Sequence, residues 1–122
     1  NIETVRRLTR KVRVQAKYDT SLEVLRYLKQ EGIERTKSGI MLGLGEKEEE
    51  VMEALHDLRK VNVDVVTIGQ YLQPSKKHLP VQQFITPDVF KKLEVFALDL
   101  GFRHVESGPL VRSSYKAHKH IA

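Results

Sequence analysis

The sequence of 122 residues contains no cysteine, and no apolar run approaches the roughly 20 residues that a membrane-spanning helix needs. Without cysteine, the chain cannot form a disulfide framework or, on its own, supply thiolate ligands to a metal ion or an iron–sulfur cluster. The sequence also shows no secretion-signal pattern. We therefore expect no membrane partner and a reducing, cytoplasmic compartment of bacterial type, with an organellar location left open.

The composition is that of an ordinary globular chain, with 40% hydrophobic and 30% charged residues. Its length suits one domain with a modest core, so we take residues 1–122 as a single segment and expect residues 116–122 to form a frayed tail. A net charge of +5 permits an acidic partner. Nucleic acid is disfavoured as that partner, because the basic residues form neither an aromatic-interleaved stripe nor a known nucleic-acid motif.

Hydrophobic periodicity predicts helices that alternate with strands. The predicted helices cover residues 20–30, 46–60 and 86–100, and the predicted strands cover residues 1–4 (the end of a strand), 36–42, 61–69 and 102–106. A short irregular helix is predicted within the basic residues 5–14, and a loop is predicted at residues 70–80. Thr20 and Glu23 are spaced as a capping box, and Leu22, Val24, Leu25 and Leu28 form the predicted apolar stripe of the first helix.

Alternating strands and helices indicate an α/β fold, because crossover helices join parallel strands. Two architectures fit this order: an open parallel sheet, or a sector of a (β/α) barrel. In both, ligands bind beyond the carboxyl ends of the strands. That rule brings residues 1–4, 43–46, 70–73 and 107–115 to one rim.

The stretch T-K-S-G-I-M-L-G-L-G-E at residues 36–46 predicts a strand, a glycine turn and the start of a helix. Gly43 and Gly45 lack a Cβ, so a ligand can approach the backbone there, and unpaired amides at a helix start suit polar groups. The simpler interpretation is that the two glycines only reverse the chain. Likewise, Glu46 is either a ligand-binding group or a carboxylate that stabilises the helix dipole.

Five stretches along the chain carry a more specific signal: N-I-E-T-V at Asn1, the stretch at Thr36, V-T-I-G-Q-Y-L-Q-P-S at Val66, H-L-P at His78 and S-G-P-L-V-R-S-S-Y at Ser107. Together they resemble the C-terminal half of the lipoyl synthase family, which belongs to the radical S-adenosylmethionine (SAM) superfamily. The resemblance implies a C-terminal sector of a partial, TIM-like (β/α) barrel. It also implies a sulfurtransferase of lipoate biosynthesis that inserts two sulfur atoms at carbons 6 and 8 of a protein-bound octanoyl chain.

The same resemblance implies the cofactors and partners. The cofactors are SAM and two 4Fe–4S clusters, one that cleaves SAM and an auxiliary one that donates sulfur. The partners are octanoylated lipoyl-carrier domains, a reductant such as ferredoxin or flavodoxin, and cluster-assembly proteins.

Site residues follow from the resemblance position by position. The SAM positions are Asn1, Glu3, Gly39, Met41, Gly43 and Glu46, the last four matching the superfamily pattern G-x-I-x-G-x-x-E with methionine in place of isoleucine. Ser114, in R-S-S-Y, matches an oxygen ligand of the auxiliary cluster, a poor ligand for a soft metal site. The substrate and cluster pocket would be lined by Gln70, Tyr71, Arg112 and Tyr115.

The chain departs from the family in lacking the cysteines that hold both clusters. We therefore expect it to be an excised segment that is inactive alone. The alternative is a non-catalytic basic α/β module that binds an acidic carrier domain or nucleic acid. In either interpretation the basic residues 6–13 are a candidate docking surface, against the plainer possibility of a solvated loop.

Overall fold

The computed structural model describes residues 2, 4–8 and 18–111. After a 3₁₀ turn at Arg6–Leu8, the elements are α1 (Tyr18–Gln30), β1 (Lys37–Leu42), α2 (Glu48–Lys60), β2 (Val65–Gln70), α3 (Pro87–Leu100) and β3 (His104–Ser107). Among these residues, no helix has both the length and the apolar character needed to cross a membrane.

The three strands form one parallel sheet in the order β1-β2-β3. In the register of the sheet, Leu42 lies opposite Gln70, and Val65 lies opposite His104. All six residues of β2 are buried, as expected for the central strand of a sheet covered on both faces. The structure thus confirms the predicted α/β class and the parallel sheet, and it is consistent with a sector of a radical SAM partial barrel.

The two faces of the sheet have different neighbours. On one face, strand side chains share a core with the helices; its members include Ile40, Leu42, Val66, Ile68, Val51, Leu55, Leu58, Phe90 and Leu93. On this side Ser107 Oγ also donates a hydrogen bond to the Phe90 carbonyl at 2.7 Å. Because side chains alternate along a strand, the other positions share the opposite face. We call it the inner face; it comprises Lys37, Gly39, Met41, Val65, Thr67, Gly69, His104 and Glu106.

Several predicted boundaries were wrong. β2 begins at Val65 rather than at residue 61, because Val61 caps α2 and Asn62 takes a positive φ of 62°. Likewise, β3 covers His104–Ser107, two residues later than its predicted start. A β-branched run marks a buried segment, but it does not separate the strand from the buried loop that leads into it.

The predicted start of the first helix was also wrong. The helix includes Tyr18, so Thr20 is a helical residue and not its cap. The apolar stripe was partly right: Leu25 is buried, whereas Val24 and Leu28 are 53% and 36% exposed. Periodicity identifies a face of the helix but not how much of that face the rest of the protein covers.

Of the predicted strand end at residues 1–4, the structure describes Ile2 and Thr4, which do not form a strand. The Ile2 amide donates to Ser38 Oγ at 3.1 Å, and the Thr4 amide turns back to the Ile2 carbonyl at 2.8 Å. Within residues 5–14, the described helical turn is Arg6–Leu8.

Asp64 joins the amino-terminal ends of all three strands. The backbone amides of Asp64 and Val65 both donate to the Thr36 carbonyl. The Asp64 carbonyl accepts from the Arg103 amide at 2.8 Å. Its carboxylate accepts from the Thr36 amide at 3.0 Å and pairs with Lys29. Burial alone would raise the pKa of Asp64, but the hydrogen bonds from Lys29 and Thr36 outweigh burial and lower the pKa below its usual value.

We expect Asp64→Asn to lower the free energy of unfolding by about 1.5 kcal/mol at pH 7, because the charged partner of Lys29 is lost. The folded-state pKa is depressed, so this stabilisation is present above the usual value of 3.8 and is lost as pH falls through the lower folded value. Chemical denaturation from pH 7 to pH 2 measures both effects. The exposed Asp99→Asn variant is the control, and an equal loss in both variants would contradict the assignment.

Candidate functional site

The turn after β1 is closed by a carboxylate. Gly43 and Gly45 take φ values of 102° and 105°, a region that L side chains rarely adopt. The Glu46 carboxylate accepts hydrogen bonds from the Gly43 amide at 3.0 and 3.1 Å and from the Leu44 amide at 2.9 Å. Glu46 precedes α2, which begins at Glu48. The structure therefore gives Glu46 a definite task, which is to hold the glycine turn in shape.

The space beside Gly43 is filled by the protein itself. An ideal Cβ at Gly43 would lie 2.3 Å from Gln70 Nε2 and 2.4 Å from the Gln83 carbonyl oxygen. The Gly43 carbonyl accepts from the amides of Gln82 and Gln83 at 2.8 and 3.3 Å. The sequence predicted that a ligand approaches the backbone at this glycine, whereas the groups that approach it in the structure belong to the chain itself. The approaching groups are the end of β2 and the loop of residues 71–86, which runs from β2 to α3.

Gln70 was expected to line a substrate pocket, and the structure places its amide among backbone groups. Nε2 donates to the carbonyls of Tyr71 and Gln83, both at 3.0 Å, and Oε1 accepts from the Ile85 amide at 2.9 Å. The residue is 5% exposed. The neighbouring Tyr71 is equally buried, and its hydroxyl donates to the Leu79 carbonyl at 2.6 Å. Both side chains thus hold the loop of residues 71–86.

The inner face brings the expected SAM strand next to β2. Gly39 lies opposite Thr67, and Met41 lies opposite Gly69. At Gly69 an ideal Cβ would be 2.2 Å from the Val111 carbonyl oxygen, so the chain that follows β3 crosses this face in contact with the strand backbone. A surface with two glycines and a half-buried methionine has little side-chain bulk. Val111 covers this surface at Gly69, and Gly39 and Met41 are the positions at which the sequence predicts the adenine of SAM.

Five of the predicted site residues lie outside the described residues: Asn1, Glu3, Arg112, Ser114 and Tyr115. Residues next to some of them in the sequence are described. Ile2, between Asn1 and Glu3, is bonded to Ser38 of β1. Val111, the residue before Arg112, lies against Gly69 of β2.

Arg7 was not predicted as a site residue, yet it joins two parts of the turn region. Its guanidinium binds both carboxylate oxygens of Glu50, at 2.9 and 3.0 Å, and donates to the Gly45 carbonyl at 3.0 Å. The Arg7 guanidinium and the backbone amide of Lys47 lower the pKa of Glu50 to about 2. No sequence signal pairs Arg7 with Glu50, since 43 positions separate them.

The described arginines of the basic segment bind groups of the chain itself. Arg6 donates to Asp19 at 2.6 Å and lies over the ring of Tyr18, 4.4 Å from its centroid. Burial raises the pKa of the Tyr18 hydroxyl, which donates to Asp57 at 2.7 Å. Arg6 and Arg7 thus have partners within the chain, which favours a structural role for this part of the predicted docking surface.

A cavity lies behind the turn, on the helix side of the sheet. It has a volume of about 160 Å³ and is lined by residues that include Leu42, Glu46, Val51, Gln83, Ile85 and Leu93. Pockets for small molecules usually measure about 300–1,000 Å³, so this cavity is too small for a nucleoside.

Iron–sulfur clusters do not fit the donors of this chain. The sequence has no cysteine, and the described residues contain no group of three or more histidine, aspartate or glutamate side chains placed to hold a metal ion. Stable cluster binding depends on thiolates. The ligands of both clusters would have to come from outside this sequence, with Ser114 as the one expected contribution from it.

Comparison with known proteins gives consistent matches. A model of the Radical SAM superfamily matches residues 1–70, more than half of the 122 residues. Proteins named lipoyl synthase from Flavobacterium johnsoniae and Porphyromonas gingivalis are 77% and 56% identical to the chain over 121 residues. One named lipoyl synthase, mitochondrial, from Nematostella vectensis is 74% identical over 121 residues.

These matches cover nearly all of this chain but less than half of the relatives. Each includes 99% of the chain, and the chain spans 42% of the Flavobacterium johnsoniae and Nematostella vectensis proteins and 43% of the Porphyromonas gingivalis protein.

We expect Gly43→Ala to lower the free energy of unfolding by about 3 kcal/mol, because it adds overpacking against Gln70 and Gln83 to the strain of a positive φ. Gly45→Ala is the matched control: it has the same sign of φ, but the nearest atom to its Cβ is 3.8 Å away. Its loss should be about 1 kcal/mol. Denaturant unfolding of both variants measures the difference, and equal losses would contradict the packing argument.

Proposed function

Because the chain belongs to the Radical SAM superfamily, we propose that it works as the C-terminal part of a lipoyl synthase, inserting two sulfur atoms at carbons 6 and 8 of a protein-bound octanoyl chain. One observation carries the proposal: 77% identity to a protein named lipoyl synthase across 99% of the chain. The parallel sheet and its glycine turn supply the framework that such a site needs. The full reaction is proposed for the longer polypeptide.

SAM would lie on the inner face at the carboxyl end of β1. Gly39 and Met41 present backbone and an apolar side chain there, and Glu46 keeps the Gly43 turn in position through its bonds to two amides. Asn1 and Glu3 would contact the ribose and amino-acid portions. When bound with a reduced cluster, SAM supplies the radical that removes hydrogen from an unactivated carbon. This chain orients the cofactor and excludes water.

The substrate and cluster pocket would lie where the chain crosses β2 after β3. Val111 lies against Gly69, and Arg112, Ser114 and Tyr115 follow it in the sequence. We propose that Arg112 and Tyr115 line the pocket and that Ser114 is an oxygen ligand of the auxiliary cluster. Gln70 and Tyr71 contribute by holding the neighbouring loop.

The remaining roles belong to other molecules. Octanoylated lipoyl-carrier domains are the proposed substrate proteins, a reductant such as ferredoxin or flavodoxin supplies electrons, and cluster-assembly proteins load the iron and sulfur. The matched relatives include bacterial proteins and one named as mitochondrial, so we propose a bacterial cytoplasm or an organelle as the location.

The experiment that tests this function compares two proteins with SAM, reductant, iron, sulfide and an octanoylated carrier domain. We expect the complete enzyme containing this chain to form the lipoyl product, and the 122-residue chain alone to form none, because it has no cysteine. Mass spectrometry of the carrier measures the added sulfur. A cluster-loaded complete enzyme that leaves the carrier unchanged would overturn the proposal. Product from the chain alone would overturn the expected inactivity.

In the complete enzyme, we expect Ser114→Ala to remove one ligand of the auxiliary cluster. Iron retention at that cluster and the rate of lipoyl formation should each fall at least about tenfold. The release of 5′-deoxyadenosine from SAM should change by less than about twofold, since the other cluster is untouched. Ser113→Ala is the matched control, with the same chemical change one residue away. Iron analysis and product assays measure these effects. Normal iron content and product in Ser114→Ala would exclude the ligand role.

A further inference from the structure

We propose that Gln70 is a positioning residue: its side-chain amide locks the loop of residues 71–86 onto the Gly43 turn, so that a ligand bound at this turn also stabilises the loop. The identity of that ligand as SAM rests on the proposed function. The lock itself rests on the described contacts alone. It concerns the arrangement of the loop that borders the site and assigns Gln70 no contact with the reacting atoms.

The Gln70 amide satisfies backbone groups at both ends of the loop. Nε2 donates to the carbonyl of Tyr71, the first residue of the loop, and to the carbonyl of Gln83, both at 3.0 Å. Oε1 accepts from the Ile85 amide at 2.9 Å. One buried amide thus supplies the donors and the acceptor for three backbone groups. Because Gln70 ends the central strand β2, it is fixed on a rigid element.

The same amide is in contact with the Gly43 turn. An ideal Cβ at Gly43 would lie only 2.3 Å from Gln70 Nε2. The Gln70 amide therefore fits only because glycine carries a hydrogen there instead of a side chain. The Gly43 carbonyl in turn accepts from Gln82 and Gln83. The loop and the turn therefore share one packed and hydrogen-bonded junction, and movement of either one disturbs the other.

The rest of the loop has contacts of its own: the Tyr71 amide donates to the Leu42 carbonyl at 2.8 Å, and Leu79 and Val81 pack against the core. The Tyr71 hydroxyl binds the Leu79 carbonyl at 2.6 Å, and Gln73 Nε2 donates to the His78 carbonyl at 2.9 Å. Long loops without secondary structure usually carry function or are disordered. This one is ordered by side-chain bonds, and its tip exposes Lys76 and Lys77.

Those two lysines provide a direct measurement of loop opening, because trypsin cleaves after lysine only when a segment is locally unfolded. We expect Gln70→Met, which keeps the side-chain length and removes all three bonds, to raise the initial rate of cleavage after Lys76 and Lys77 about tenfold. Gln82→Glu is the control in the same loop, because its side chain makes one bond at the 3.5 Å limit. That control should change the rate by less than about twofold.

A second variant separates the lock from simple core damage. Gln70→Glu keeps the acceptor for Ile85 but places a carboxylate against two carbonyl oxygens. Protonation of this carboxyl restores one donor. The ratio of the cleavage rate in Gln70→Glu to that in the parent chain should therefore fall as pH is lowered from 8 to about 5, while the same ratio for Gln70→Met stays constant. Equal cleavage in the parent chain, Gln70→Met and Gln70→Glu would overturn the lock.

The coupling to the ligand is tested with SAM in the cluster-loaded complete enzyme. Saturating SAM should slow cleavage after Lys76 and Lys77 at least about threefold in the parent enzyme and have no effect in Gln70→Met. Equilibrium dialysis with labelled SAM measures binding separately. SAM that binds without protecting the loop overturns the coupling and leaves the proposed function intact. Absence of SAM binding in the parent enzyme overturns both the proposed SAM subsite and the coupling. In that case the cleavage rates measured without SAM still test whether Gln70 locks the loop.

Discussion

The arrangement of this protein depends on the lack of room for a side chain at Gly43. Parallel strands end at the same edge of a sheet, so the turn that leaves β1 and the loop that leaves β2 have to pass each other in a small volume. The Tyr71 amide continues the pairing by donating to the Leu42 carbonyl at 2.8 Å, which brings the two exits into contact. A glycine at position 43 lets the Gln70 amide fill the remaining space.

The two ends of the sheet use polar groups for different purposes. At the amino-terminal ends, Asp64 and Lys29 form a partly buried pair that holds Thr36 and β3 in place. At the carboxyl ends, Glu46 and Gln70 bind backbone groups of the turn and the loop. In barrel-type enzymes the first end contributes mainly stability, while the second carries ligands. The distribution of polar groups in this chain follows that division.

In the proposed function the chain contributes mainly a scaffold, and the thiolate ligands of the clusters would have to come from outside this sequence. On its inner face, Val111 covers Gly69, while Gly39 and the half-buried Met41 are the positions proposed to face SAM. The chain has no thiolate to hold a cluster. A family match over residues 1–70 and high identity along 99% of the chain therefore support the function more directly than the geometry does. The geometry explains why these residue types occur at the turn.

The sequence alone determined the features that depend on neighbouring residues. The alternation of helices and strands and the glycine that ends α3 were predicted because periodicity and helix caps are local signals. The family was recognised from short motifs for the same reason. The roles of the SAM and cluster residues stay predictions.

Tertiary structure alone decided which groups meet across the crossovers. Two of the three partners of Gln70 lie 13 and 15 residues away, and Arg7 binds Glu50 across 43 positions. No pattern in the sequence specifies such pairs, because they exist only after the parallel strands have aligned. The true start of β2 and the exposure of Val24 and Leu28 were decided in the same way. Burial depends on what packs against a segment, and a segment's own residues do not contain that information.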